Sequence, residues 1–122
     1  MDPIQSPDVS TGHGEELAEA TNGIVRLFSE YYGRGPTRAK SYMLDSNYLV
    51  TVLRDTLTTV ERTLIDAGHG HQVRNVRLTF QEAMADSFKE VVEKALGRRV
   101  AAYHSQLLLD ADVGFEMFVL ED

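Results

Sequence analysis

Apolar residues recur at helical spacing in two long segments of the chain. Steps of three and four residues predict one helix that begins near residues 11–14 and ends at Tyr32, and a second over residues 70–96. Gly33 and Gly97 directly follow these segments and are expected to end the helices. The predicted buried stripes are Leu17, Ala20, Ile24, Leu27 or Phe28, and Tyr31 in the first helix, and Val73, Val76, Phe80, Met84, Phe88, Val91 and Ala95 in the second.

Strand-like segments follow each long helix in pairs. They cover residues 38–44, 48–54, 100–109 and 113–120, with the aspartate-containing turns 45–47 and 110–112 between the members of each pair. Residues 49–53 are almost continuously apolar, which predicts a central strand covered on both faces. A short helix over residues 59–67 separates the two pairs, and Thr58 and Glu61 before and within it have the spacing of a capping box.

The order of these elements predicts an α+β fold. We expect two β-hairpins to form one antiparallel four-stranded sheet with the helices on one face. Residues 24–34 resemble residues 88–98 at a constant offset, so each half reads as helix, glycine, arginine, strand, aspartate turn, strand, and we interpret this as an α-β-β pseudo-duplication. Residues 1–13 read as a flexible tail and residues 14–122 as one domain. Exposed sheet edges or an uncovered sheet face would favour a homodimer.

Composition narrows the classes of function. The net charge of −7 disfavours nucleic-acid binding, and the absence of cysteine excludes thiolate catalysis and cysteine-ligated metals. No apolar run approaches the roughly 20 residues of a membrane span, so direct insertion is not expected. The first 14 residues lack a signal-peptide pattern, and we expect a cytoplasmic protein that reaches a membrane only through a partner.

Residues 33–40 hold the densest group of anion-binding side chains. Arg34, Thr37 and Arg38, together with Arg77 from the second long helix, form a hypothetical site for a small anion. The alternative is structural, because cations are favourable after a helix C-terminus and the Arg77 head group could pair with an acid such as Glu61.

Other candidate residues give weaker signals. Glu116 lies in the last strand; if buried, it could act as a general base with a raised pKa, and if it faces water or an arginine it has no chemical role. Glu61 and Glu116 are also candidates for a structural or functional ion pair. Neighbouring strand positions place His104 and Ser105 on opposite faces, which argues against a serine nucleophile. His13, His69, His71 and His104 lack the companion ligands of a metal site. We therefore predict no catalytic residue, metal or cofactor.

The chain resembles the MpsC-like family of small bacterial domains, named after a subunit of a Na⁺-translocating, membrane-potential-generating system. The resemblance rests on residues 25–28 and 32–37, Leu57, Thr58, Glu61, residues 64–68, Val73, Arg77, Phe80, Gln81, Gly97, Arg98, Val100, Glu116, Phe118 and Leu120. It implies an accessory role beside membrane proteins that move sodium or take up bicarbonate. Together with the lack of a catalytic pattern, this predicts a non-enzymatic accessory or regulatory domain that binds a partner protein. A small-anion sensor and an enzyme of unknown class are the alternatives.

Overall fold

The structure is a computed structural model that describes residues 14–122, so the tail predicted for residues 1–13 lies outside the described part. Within residues 14–122, three helices and four strands follow one another in the predicted order. They are α1 (Gly14–Tyr32), β1 (Arg38–Leu44), β2 (Tyr48–Arg54), α2 (Thr59–Asp66), α3 (Gly70–Leu96), β3 (Val100–Leu108) and β4 (Val113–Leu120). The predicted bounds are confirmed to within one residue wherever the prediction named one, because glycine and aspartate turns mark most of the element ends.

The four strands form one antiparallel sheet in the order β1-β2-β4-β3. The two hairpins therefore join through their second strands, and the predicted α+β fold is confirmed. Thr51 of β2 lies opposite Glu116 of β4, which in turn lies opposite Ser105 of β3. This register brings residues that are distant in sequence into one row across the sheet. The arrangement fits two α-β-β units, although their origin by duplication stays a prediction.

Local chemistry explains where the helices begin and end. The Thr58 hydroxyl accepts a hydrogen bond from the Glu61 backbone N–H at 3.2 Å, and the Glu61 carboxylate accepts one from the Thr58 N–H at 2.9 Å. This reciprocal pair confirms the predicted capping box at the start of α2. Gly33 and Gly97 adopt φ values of +79° and +67°, which glycine reaches without steric cost, and they end α1 and α3.

One face of the sheet, here called the inner face, packs against α1 and α3. The core combines Ile24 and Phe28 of α1 and Phe88 and Val92 of α3 with alternate residues of the strands, an alternation that a bulge interrupts in β3 between Val100 and Ala102. These inner-face apolar residues are Met43, Leu49, Leu53, Val100, Phe118 and Leu120. The strand side chains that point away from the inner face form the outer face. Within residues 14–122, no helix packs a core cluster against this outer face.

Three burial predictions are wrong. Val76 is 61% exposed and Tyr31 is 54% exposed, although both were expected in buried stripes. On α3 the inward-facing position four residues after the buried Val73 is taken by Arg77, whose side chain is only 9% exposed, so Val76 faces solvent. The strand β2 is central, but within residues 14–122 helices cover only its inner face, and Val50 and Val52 lie on the outer face.

Candidate functional site: a cavity on the inner face

A cavity of about 310 Å³ lies between the inner face and the helices α1 and α3. Five aromatic rings contribute to its wall, from Phe28, Tyr32, Phe80, Phe88 and Tyr103. The polar lining comes from Thr56, Arg77, Gln81, Ser105 and Glu116. Gly114 of β4 also lines the cavity, where the absence of a side chain leaves room between neighbouring strands.

A row of polar side chains crosses the inner face beside this cavity. Ser41, Thr51, Glu116 and Ser105 come from four adjacent strands and occupy facing positions in the register. The Ser41 hydroxyl lies 2.6 Å from the Thr51 hydroxyl and 2.6 Å from that of Thr21 on α1. The hydroxyl groups of Ser41 and Thr51 are therefore satisfied within the row and by Thr21 of α1, as buried polar groups require.

Glu116 is the central charged group of the row and is only 2% exposed. Its Oε1 accepts a hydrogen bond from the Tyr103 hydroxyl at 2.5 Å, and its Oε2 accepts one from the Ser105 hydroxyl at 2.5 Å. Burial raises the pKa of Glu116 to about 7, although these two hydrogen bonds and the charge of Arg77 act in the opposite direction. Burial and the neighbouring Glu116 carboxylate together raise the pKa of Tyr103 above its usual value.

Arg77 and Glu61 form a nearly buried ion pair at the edge of the cavity. Arg77 Nη2 lies 2.6 Å from Glu61 Oε1, and Nε lies 2.7 Å from Oε2, so the contact is bidentate. The two side chains are 9% and 11% exposed. Burial alone would raise the pKa of Glu61, but hydrogen bonds from Arg77 and Thr58 hold it below its usual value.

Tyr32 occupies an unusual position in the wall. The Arg77 guanidinium lies over its ring at 4.0 Å from the centroid, and the Phe80 ring lies at 4.7 Å. The Tyr32 hydroxyl is buried and has no hydrogen-bond partner among residues 14–122. Burial raises the pKa of Tyr32 to about 12.

The four residues of the hypothetical anion site do not share this cavity. Only Arg77 lines it. Arg34 donates to the Asp55 carboxylate at 3.1 Å and to the Leu57 carbonyl at 2.6 Å, while Arg38 is exposed at the start of β1. The Thr37 backbone N–H donates to the Arg54 carbonyl at 3.0 Å. Both Arg34 and Arg77 thus hold the loop of residues 55–58, and anion binding by the four residues stays a prediction.

The carboxylate of Asp112 also stabilises the loop of residues 55–58. It accepts hydrogen bonds from the backbone N–H groups of Thr56 and Leu57 and from Arg62. These bonds fix the loop of residues 55–58, which follows the β1–β2 hairpin, to the turn between β3 and β4. The loop positions Thr56, whose carbonyl accepts a hydrogen bond from Arg77 at 3.0 Å.

Of the histidines in the described part of the chain, only His104 lines the cavity. His69 precedes α3, His71 is exposed in its first turn, and His13 lies outside the described residues. The His104 ring lies 3.4 Å from Gln106 on β3, whereas Ser105 is turned towards Glu116. In the described part of the chain, no three histidine or acidic residues form a group that could hold a metal ion.

Sequence reasoning did not find Tyr32, Gln81, Tyr103 and Ser105 as partners in one site. A signal existed for two of them, because Tyr103 and Ser105 share the parity of strand positions that face Glu116. The contact of Gln81, whose side-chain oxygen accepts the Ser105 backbone N–H at 2.9 Å, depends on tertiary packing alone.

Residues 11–122 match the family model described as Na⁺-translocating membrane potential-generating system (MpsC). The chain belongs to the MpsC family. It matches no curated protein and no solved structure. Among residues 14–122, no helix has the length and apolar character needed to cross a membrane. Several residues that carry the MpsC resemblance, including Thr58, Glu61, Arg77, Gln81 and Glu116, surround the cavity or support its loop.

Proposed function

We propose that the protein is a non-enzymatic accessory or regulatory module of a Na⁺-translocating membrane system. It acts in the cytoplasm through protein contacts, and the outer face of its sheet is the interface of a homodimer. The family description supports the link to the membrane system. The observation that carries the contact mechanism is the apolar character of the outer face.

Large apolar side chains remain accessible across this face. Leu44 and Val119 are each 40% exposed, Tyr48 is 45% exposed and Leu108 is 47% exposed. Between them lie the half-buried side chains of Tyr42, Val50, Val52, Val113, Phe115 and Met117. The solvent-facing side of an antiparallel sheet normally carries polar residues, and contiguous apolar patches of this kind mark interaction surfaces.

The charges around the outer face favour a second copy of the chain as the occupant. Arg38, Lys40 and Arg54 form a basic corner at one end of β1 and β2. Each hairpin turn carries an exposed acid, Asp45 at the opposite end of β1 and Asp110 beyond β3. Two copies packed face to face about a two-fold axis place the basic corner against the partner's Asp45 turn or its Asp110 turn, depending on the axis. In both arrangements the basic corners avoid each other, and the apolar centres of β2 and β4 meet.

Sedimentation velocity of the purified full chain tests this interface. We expect a dimer at micromolar concentration and a monomer for Met117→Lys, because a charge would be buried at the centre of the outer face. Val76→Lys is the matched control, since Val76 is an exposed valine on α3 and its substitution should leave the dimer intact. A monomeric parent protein, or a Met117→Lys variant that still dimerises, would exclude the outer face as the dimer interface.

The role in the membrane system needs a separate test. Inverted membrane vesicles prepared from cells that lack the protein should generate a smaller Na⁺-dependent membrane potential than vesicles from the parent cells. Adding back the purified chain should restore the signal, whereas Met117→Lys should restore less of it. Equal signals in the two vesicle preparations would contradict the accessory role.

A further inference from the structure

We propose that the inner-face cavity binds a small uncharged ring compound whose polar group forms a hydrogen bond with the Tyr32 hydroxyl. This inference goes beyond the proposed function and does not require dimerisation, because most of the cavity lining lies on the inner face, on α1 and on α3, and only His104 and Gln106 of the edge strand β3 hold outer-face positions. Its basis is the size, the lining and the charge balance of the cavity.

Size and lining favour a ring. The volume of about 310 Å³ lies at the lower end of the range for ligand pockets, about 300–1,000 Å³. The Tyr103 ring stacks between those of Phe88 and Phe118, with centroid distances of 5.6 and 4.9 Å. Phe80 and Tyr32 provide further aromatic surface. A flat ring can make offset-stacked or edge-to-face contacts with such walls.

The Tyr32 hydroxyl supplies a recognition point. It is the buried side-chain polar atom without a hydrogen-bond partner in residues 14–122, and it belongs to a residue that lines the cavity. The hydroxyl has almost no accessible surface in the structure, so a ligand reaches it only when the side chains around it shift. Because buried polar groups almost always have partners, a ligand that supplies one removes an energetic cost. A phenol oxygen can donate one hydrogen bond and accept others.

The charges of the lining favour an uncharged compound. Arg77 already has its bidentate partner in Glu61, and the Glu116 oxygens already accept hydrogen bonds from Tyr103 and Ser105. A ligand anion would lie near the Glu116 carboxylate, and a ligand cation would lie near the Arg77 guanidinium. A neutral polar group meets neither repulsion, and Glu116 can offer it a remaining lone pair.

Exposed residues at the rim show where a compound would enter. Arg74 and His104 are exposed, Leu78 is 46% exposed, and all three line the cavity. Gln81, half-buried behind them, fixes the edge strand through the Ser105 backbone. The opening therefore lies between α3 and β3.

Titrations followed by amide NMR test the proposal on the full chain. The probes are phenol and toluene, which differ in one hydroxyl, together with benzoate and benzylamine as charged analogues. Phenol should cause saturable shifts of the Gln81, Ser105 and Gly114 amides and should bind more tightly than toluene, benzoate or benzylamine. Tyr32→Phe should reduce the advantage of phenol over toluene by about two-fold to ten-fold, the size of one hydrogen bond.

Tyr31→Phe is the matched control, since Tyr31 is mostly exposed and does not line the cavity. It should leave the phenol affinity unchanged. Leu107→Phe adds volume at the lining and should weaken both neutral probes if the folded amide spectrum is retained. Absence of saturable shifts with phenol, equal loss in Tyr31→Phe and Tyr32→Phe, or tighter binding of either charged probe would overturn the proposal.

Discussion

The two faces of the sheet use the same strands in opposite ways. The inner face buries polar groups, including Thr51 and Glu116 at 0% and 2% exposure, and satisfies them with hydrogen bonds. The outer face exposes apolar groups such as Tyr48 and Val119. Polarity alone therefore does not tell which face of this sheet is covered. The inner face should control the stability of one subunit, and the outer face should control the association of two.

The largest effect on stability should come from the ion pair beside the cavity. Arg77→Met leaves the Glu61 carboxylate nearly buried without its partner, so the free energy of unfolding should fall by about 3–5 kcal/mol. Urea unfolding measures this change. Arg62→Met is the control. The Arg62 side chain also pairs with carboxylates but is 49% exposed, so its loss should lower the free energy of unfolding much less. Equal losses in the two variants would show that the Arg77–Glu61 ion pair contributes no more to stability than the exposed ion pairs of Arg62.

A second effect is a pH dependence of stability that comes from Glu116. Its pKa is about 7 in the folded chain, against 4.5 for an unperturbed glutamate. Between these values the folded state holds a proton that the unfolded chain has lost, so stability falls as the pH rises from about 4.5 to about 7 and then levels off. The total contribution is about 3 kcal/mol.

Glu116→Gln removes this titration while keeping the side-chain shape. Urea unfolding at pH 5, 6, 7 and 8 should show a parent protein that loses stability relative to Glu116→Gln as the pH rises. Contributions from other groups, such as the lowered pKa of Glu61, are shared by both proteins and cancel in the difference. Parallel pH profiles would mean that Glu116 ionises as readily in the folded chain as in the unfolded one.

A smaller effect of opposite sign is expected at Tyr32. Tyr32→Phe removes a buried hydroxyl that has no partner in the described chain, so the free energy of unfolding should rise by about 1 kcal/mol. Thermal or urea unfolding without added ligand measures the change, and Tyr31→Phe should be neutral. A clear loss of stability in Tyr32→Phe would reveal a hydrogen bond to this hydroxyl in solution.

The smallest effect on a single subunit should come from the outer face. In the Met117→Lys background, where the dimer is expected to be absent, Val119→Ala should change the free energy of unfolding by no more than about 0.5 kcal/mol. In the parent background the same substitution should weaken association, as seen by sedimentation. A large loss in the monomeric background would place Val119 in the packed structure of the subunit itself.

Local sequence signals predicted most of the fold. Helical periodicity, the glycines at 33 and 97 and the Thr58–Glu61 spacing are properties of neighbouring residues, so they could be read without a structure. The pairing of β2 with β4 was not predictable in this way, because it joins strands separated by α2, α3 and β3. The sheet order therefore had to come from the structure.

The candidate site was less predictable for the same reason. Glu116 was recognised as a candidate, but its burial depends on which parity of β4 faces the helices. Tyr32 and Gln81 reach the cavity from two helices, and the helical pattern placed the exposed Tyr31, not Tyr32, in the buried stripe. Val76 shows the converse error, since its periodic position is apolar but the described sheet and helices leave it exposed.

The most direct test of the central claim is a filtered NOE experiment on a mixture of ¹³C-methyl-labelled and unlabelled chains. The account predicts intermolecular contacts from the methyl group of Met117 to aromatic protons of Tyr48 or Phe115 in the other copy. Intermolecular contacts confined to the α3 surface around Val76, or none at a concentration where sedimentation shows a dimer, would contradict the assignment of the outer face as the interface.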